Sequence, residues 1–353
     1  MTKGSSVNKS TLDSGIRVVT ESIPHVHSVS LGVWFLAATC DESPRNNGIA
    51  HFLEHMVFKG THSRSSLELA DSLESLGGHL NAFTGKEHTC FYAQALSEHI
   101  DVAIEVLADM ILNSRMSDGD IETEKDVVLE EITELNDNPG DLVHEYFVQS
   151  LYKPHPLSYS ILGSKDSVRQ ISRNDLVEFL QRNYTGNRVV IAAAGNIEHE
   201  RVVELTARYF AAIPASSTRP EFSLSGAVPT HDVFENNFQQ AHLCLGRRAF
   251  SYSDQRRHAL LLLNTILGAG MSSRLFQNIR EKHGLAYSIY SFVDFFMDSG
   301  MFGIYLGTDR EKLDLAMELV KKELNNLSQK PVPEDELLKR KNQMKGNLLL
   351  GME

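Results

Sequence analysis

The chain has 353 residues, and its 34 Lys and Arg against 46 Asp and Glu give a formal net charge of −12. This acidic balance argues against nucleic-acid binding. No apolar run reaches the ~18 to 20 residues that a membrane span needs. Residues 1–14 lack the apolar region of a secretory signal. Three widely spaced cysteines, Cys40, Cys90 and Cys244, form no metal-type pair and favour a reducing compartment.

Strands and helices are predicted to alternate in the first half of the chain. Val, Ile and aromatic residues favour strands at 16–21 and 29–37, and a three-to-four rhythm of apolar residues favours a helix at 48–58. The next predicted helix lies at 67–76, and Gly77 and Gly78 end it. A hairpin is expected after it at 79–84 and 89–95, followed by helices at 100–112 and 118–136.

A sequence phrase recurs 213 positions later, as DVAIEVL at 101–107 and DLAMELV at 314–320. Each copy follows a candidate strand and precedes a candidate helix, so the order strand, helix, helix repeats. Coincidence between two amphipathic helices is the alternative. The repeat predicts an α+β fold of two homologous α/β roll units, each with a mixed or antiparallel sheet packed with helices.

Ala, Ser, Thr and Pro cluster near 214–220, which favours a domain boundary there. We expect a first unit at 1–215, a linker at 216–225 and a second unit at 226–353. A helix follows each copy of the repeated phrase. The first unit continues well beyond this helix, whereas the chain ends within the corresponding helix of the second unit. The second unit is therefore expected to lack roughly 70 residues at its C-terminus.

One helix face combines two imidazoles and a carboxylate. At about 100° per residue, His51 and His55 lie about 40° apart, with Glu54 about 60° to the other side of His51. Two neutral imidazoles one turn apart can bind zinc, and a neighbouring carboxylate can take a proton from water held by the metal. A solvated His/Glu stripe is the alternative, although the rest of this helix is patterned for burial.

A third ligand is available from a later, glutamate-rich helix. Glu124 and Glu131 share a face with Val127 and Val128, so two carboxylates point where apolar side chains point. A buried carboxylate requires a metal or another partner. Spacing alone does not decide which glutamate of this helix binds metal; the candidates are Glu122, Glu124, Glu130, Glu131 and Glu134.

HFLEH at 51–55, followed by EKDVVLEE at 124–131, resembles the motifs of the inverzincins. This is the pitrilysin and insulinase family, which includes mitochondrial processing peptidase and its single-chain bacterial relatives. The resemblance implies that His51, His55 and Glu131 bind one Zn²⁺ per chain, that Glu54 is the general base, and that Glu124 braces a ligand histidine. It implies a zinc metalloendopeptidase that hydrolyses unfolded peptides in a closed chamber, in a bacterial cytoplasm rather than a mitochondrial matrix.

Two further segments match this family. Arg280 and Tyr287 resemble its Arg/Tyr pair, whose hydroxyl could stabilise an oxyanion while the guanidinium holds the substrate backbone; a surface and a core residue are the alternative. The resemblance also implies that four residues form an edge strand that pairs with the substrate backbone: Asn81, Ala82, Phe83 and Thr84. An ordinary hairpin strand is the alternative.

The second half lacks the metal pattern. Lys339 and Gly346 stand where Glu124 and Glu131 stand in the first half, and His258 has no second histidine one turn on. Only the first unit is therefore expected to bind catalytic zinc. Because one chain carries both the zinc motif and the Arg/Tyr pair, the resemblance implies a homodimer in which each chain completes its partner's site. The net charge suggests a preference for basic peptides.

Two other functions remain as alternatives. A structural or chaperone-like subunit of the same family would not be catalytic, but such proteins typically lose motif residues that this chain keeps. A nucleotide-dependent enzyme could use the glycine-rich segment 268–273, but that segment lacks the Gly-Lys-Ser/Thr of a phosphate loop, and a turn after a helix is expected instead. Six other histidines without ligand spacing are expected to be structural or exposed: His25, His27, His79, His88, His144 and His155.

Overall fold

The computed structural model describes residues 7–216, 218, 224, 226 and 229–351, so most of the expected linker at 216–225 lies outside the described residues. Helices and strands occur in both halves of the chain, which confirms the α+β class. One compact unit comprises Met1–Glu134 and Lys153–Leu224, and the other comprises Leu135–Tyr152 and Ser225–Glu353. No helix in the described ranges is long and apolar enough to cross a membrane.

The first unit is built on a six-stranded mixed sheet. Its strands are β1 (Val7–Thr11), β2 (Arg17–Ser22), β3 (Ser28–Phe35), β4 (His79–Thr84), β5 (Thr89–Leu96) and β6 (Val189–Gly195). The order across the sheet is β1-β2-β6-β3-β5-β4, with β2 and β6 parallel and every other pair antiparallel. β4 is therefore an edge strand with one free side.

Helices of the first unit form a core against one face of this sheet. They are α1 (Ile49–Val57), α2 (Ser66–Glu74), α3 (Ile100–Leu112), α4 (Asp118–Asp137), α6 (Lys165–Gln170), α7 (Arg173–Asn183) and α8 (His199–Tyr209), while α5 (Pro139–Tyr152) belongs to the second unit. Alternate residues of β3, from Val29 to Phe35, are buried in one core with Phe52 and Leu53 of α1. This packing holds α1 against the sheet because alternate strand residues point to the same face.

The second unit contains a three-stranded antiparallel sheet in the order β7-β9-β8. After α5, its elements are β7 (Gln240–Ala249), α9 (Arg257–Leu267), a π-helical turn (Phe276–Glu281), β8 (Ser288–Phe295), β9 (Gly300–Asp309), α10 (Leu313–Gln329) and α11 (Glu334–Leu350). α5 packs against β7, although α5 comes from the first half of the sequence. Both units contain a strand, a helix, a hairpin and two further helices in this order, with α2 before the hairpin of the first unit and the π-helical turn before that of the second.

Candidate metal centre

α1 presents one apolar face to the core and one polar face to the site. Phe52, Leu53 and Met56 are fully buried, whereas the His51 and His55 side chains keep 13% and 18% of their exposure. The apolar residues recur three and four positions apart, so a single helix face can be buried while the other carries imidazoles. The helical pattern of the sequence therefore sets the direction of both histidines.

A buried carboxylate fixes the beginning of α1. Glu42 Oε2 accepts the Gly48 N–H at 2.8 Å, and its Oε1 accepts the Ala50 N–H at 2.9 Å. These are N–H groups that the first turn of a helix leaves without an internal partner. Gly48 itself has φ of +96°, and a Cβ there would lie 2.6 Å from the Leu162 carbonyl oxygen. Glu42 was missed at the sequence level because only the fold brings it to this helix end.

Three of the predicted ligands meet at one point. The Nε2 atoms of His51 and His55 lie 3.2 Å apart, and each lies 3.7 Å from a carboxylate oxygen of Glu131. One donor atom from each of the three residues falls within 4.8 Å of the others. α1 and α4 thus bring together the three side chains that the motif named. Among the described residues no other trio of His, Cys, Asp or Glu does so.

Glu124, also on α4, contacts the outer side of His55. His55 Nδ1 donates to Glu124 Oε1 at 2.8 Å, since a carboxylate in this pairing accepts the proton. With its hydrogen on Nδ1, His55 directs the lone pair of Nε2 towards His51 and Glu131. This is the geometry that the bracing role expects of Glu124.

Burial sets the charge state of the centre. It lowers the pKa of His51 to about 4, with a smaller contribution from neighbouring His55. His51 is therefore neutral at pH 7 and has a lone pair to offer. Burial also raises the pKa of Glu131 and of Glu54, because a carboxylate away from water favours its uncharged form.

The donor set fits a zinc ion. Glu131 Oε2, one of the atoms that meet there, is a buried polar atom with no hydrogen-bond partner among the described residues. Native proteins rarely leave such atoms unpaired unless a further group belongs nearby. Two imidazoles and one carboxylate are a ligand set that catalytic zinc sites use, with a further position left open.

Glu54 lies beside the end of the edge strand. The Thr84 hydroxyl, at the last position of β4, donates a hydrogen bond to Glu54 Oε2. Asn81 and Phe83 point to the exposed side of this strand, whereas Ala82 is partly buried against the core. The predicted base and the predicted substrate-pairing strand are therefore neighbours within the first unit.

Arg280 and Tyr287 are neighbours within the second unit. Arg280 lies in the π-helical turn, with its guanidinium carbon 4.7 Å from the centre of the Phe276 ring and 5.9 Å from that of Tyr287. Tyr287 is 77% exposed. The glycine-rich segment 268–273 forms the expected turn after α9, and Lys339 pairs with Asp335 at 3.4 Å in α11.

Comparisons with known proteins agree with the motif. Residues 17–165 match the family model described as insulinase (peptidase family M16), and residues 170–344 match the model described as peptidase M16 inactive domain. An uncharacterized zinc protease of Bacillus subtilis is 40% identical over 98% of this chain and 85% of its own length. Another from Streptomyces coelicolor is 37% identical over 98% of this chain and 77% of its own length.

Solved structures share the fold at lower identity. A peptidase M16 inactive domain from Pseudomonas fluorescens has a TM-score of 0.89 at 23% identity, covering 97% of this chain and 84% of that one. A protease from Helicobacter pylori has a TM-score of 0.87 at 22% identity, covering 98% and 85%. At this identity the likeness is one of fold.

Proposed function

The chain belongs to the insulinase family, peptidase family M16, and on this premise we propose that it is a zinc-dependent endopeptidase that hydrolyses unfolded peptides in a closed chamber. The observation that carries the proposal is the meeting of His51, His55 and Glu131 donor atoms within 4.8 Å, on the helix that also carries Glu54. These three residues would hold the ion. When bound, zinc supplies Lewis acidity, which polarises a peptide carbonyl and acidifies water.

Glu54 is the proposed general base. Its Oε2 accepts the Thr84 hydroxyl, which leaves Oε1 to take a proton from the attacking water. The same carboxyl then returns the proton to the amine that leaves. Thr84 holds the carboxyl in one orientation, so proton transfer requires little reorganisation.

β4 is the proposed substrate-binding strand. An extended peptide can add to the free edge of a sheet through main-chain hydrogen bonds, which tolerates varied sequences. Asn81, Ala82, Phe83 and Thr84 would supply that edge, and the scissile bond would then pass near Glu54. The need for an extended peptide explains the choice of unfolded substrates.

Arg280 and Tyr287 are proposed to complete the site in a homodimer, each chain serving its partner. The Tyr287 hydroxyl would donate to the developing oxyanion, and Arg280 would hold the substrate backbone. The net charge of −12 supports a preference for basic peptides. Comparing cleavage of neutral and Lys/Arg-rich peptides at low and high salt tests this preference, and equal rates would reject it.

A non-catalytic subunit is the second candidate, because residues 170–344 match the model of an inactive domain. Zinc analysis of the purified chain, followed by peptide hydrolysis with and without a chelator, separates the two functions. The peptidase proposal expects about one zinc per chain and chelator-sensitive turnover that E54Q abolishes. A wild-type chain that holds no zinc and hydrolyses no peptide would favour the alternative, whereas turnover retained in E54Q would refute Glu54 as the general base.

A further inference from the structure

Glu124 connects His55 to a cation outside the motif. Its Oε1 accepts His55 Nδ1 at 2.8 Å, and its Oε2 lies 2.5 Å from Lys59 Nζ. Lys59 follows the end of α1 by two residues, and its backbone N–H donates to the Met56 carbonyl at 3.2 Å. The Lys59 backbone is therefore fixed at the C-terminal end of the helix that carries both histidines, and its ammonium group contacts Glu124 from there.

The carboxylate depends on Lys59 because it is almost entirely buried. Glu124 is 3% exposed, and within the described ranges Lys59 is the charged group that faces its Oε2. Removing one partner of a buried ion pair leaves an uncompensated charge, which is costly. A Glu124 carboxylate without Lys59 would lose the group that holds its Oε2, so its orientation towards His55 would be less fixed.

We propose that Lys59 is a positioning residue of the metal centre. By holding Glu124 Oε2, it aims Oε1 at His55 Nδ1 and so keeps His55 Nε2 directed at His51 and Glu131. This inference rests on the proposed function, because the centre must bind zinc for the positioning to matter. Residues that orient metal-binding histidines typically affect metal affinity by about 10- to 100-fold.

The direction in which zinc affinity changes when the Lys59 charge is removed distinguishes a positioning role from a purely electrostatic one. Removing a positive charge near a cation site would, through charge alone, tighten zinc binding. Removing a positioning residue weakens zinc binding instead. A purely structural Lys59 would change the stability of the metal-free chain and leave its zinc affinity unaltered.

The experiment compares three variants of the full chain, stripped of metal with a chelator. K59M removes the ammonium group, K59R keeps a cation, and K125M is the matched control. Lys125 lies next to Glu124 on α4 but pairs with the exposed Glu122 at 2.8 Å, so K125M changes the net charge equally without removing the partner of Glu124. Zinc dissociation constants are measured by competition with a chromophoric chelator, and melting temperatures are measured on the metal-free proteins.

The expected result is a dissociation constant raised by about 10-fold or more in K59M, with K125M unchanged. K59R should stay within about threefold of wild type, because Arg keeps the charge and the donors. In an E124Q background, K59M should cause no further loss, since the two residues act in series. Unchanged or tighter zinc binding in K59M, or additive losses in the double variant, would overturn the inference. A wild-type chain that binds no zinc would instead refute the proposed function, and the inference with it.

Discussion

Glu42, which holds the beginning of α1, makes the stability of the first unit depend on pH. Burial raises the pKa of Glu42 from 4.5 to about 7, outweighing the hydrogen bonds from Ala50, Asn47 and Gly48 that lower it. The folded chain therefore keeps this proton at pH values where the unfolded chain has released it. The stabilising contribution is fully present below pH 4.5 and is lost as pH rises to about 7.

The size of the effect follows from that interval. At about 1.4 kcal/mol for each pH unit, the difference between 4.5 and about 7 amounts to about 3 kcal/mol of unfolding free energy. E42Q has no proton to release at this position, so its stability should lack this loss. We expect the stability of wild type relative to E42Q to fall by about 3 kcal/mol between pH 4.5 and pH 7.5.

Urea unfolding of the metal-free chain at several pH values measures this difference. Trp34, in β3 of the first unit, is the single tryptophan of the chain, so its fluorescence reports the unit that contains Glu42. E74Q, which removes an exposed carboxyl on α2, controls for the change in net charge. Parallel stability curves for wild type and E42Q over this pH range would refute the assigned role of burial.

Three further predictions concern the centre itself. E54Q should bind as much zinc as wild type but lose at least about 100-fold in turnover, since a general base is removed; peptide hydrolysis and zinc analysis of the same sample decide this. E131Q should take up less zinc per chain than wild type after dialysis against trace zinc, because a neutral amide replaces an anionic ligand, and equal uptake would remove Glu131 from the ligand set. T84V should lower kcat by about 10-fold with KM unchanged, because Glu54 loses the hydroxyl that orients it; an unaltered kcat would show that this hydrogen bond is not needed.

Local pattern predicted much of the first unit. The helix expected at 48–58 is observed at Ile49–Val57, and the helix at 100–112 and the strand at 79–84 keep their predicted bounds. These elements have strong periodicity or clear glycine boundaries, which are read from neighbouring residues alone. β6, in contrast, was not predicted, although it lies between β2 and β3 in the sheet. Its partners are more than 150 residues away in sequence, as in the pairing of Val190 with Arg17, so local composition carries no record of them.

In the candidate centre, too, residues with a local sequence signal were predicted, and residues that depend on distant contacts were missed. The spacing of His51, Glu54 and His55 predicted their shared face, because that face depends on helical geometry alone. The choice among the glutamates of α4 needed the family motif, since five of them are compatible with spacing. Glu42 and Lys59 were missed because their importance comes from burial and from partners on other segments. A charged residue whose role depends on tertiary contacts leaves no periodic signal in the sequence.

The two halves show why the fold alone could not assign the site. α1 follows β3 in the first unit as α9 follows β7 in the second, and two helices follow the hairpin in each unit. Yet α11 has Lys339 and Gly346 where α4 has Glu124 and Glu131. Gly346 has no side chain to bind a metal, and Lys339 would repel one. A shared arrangement of elements therefore supplies the scaffold, and the residues placed on it decide whether a metal can bind. For that reason the proposed peptidase activity depends on four side chains of the first unit: His51, Glu54, His55 and Glu131.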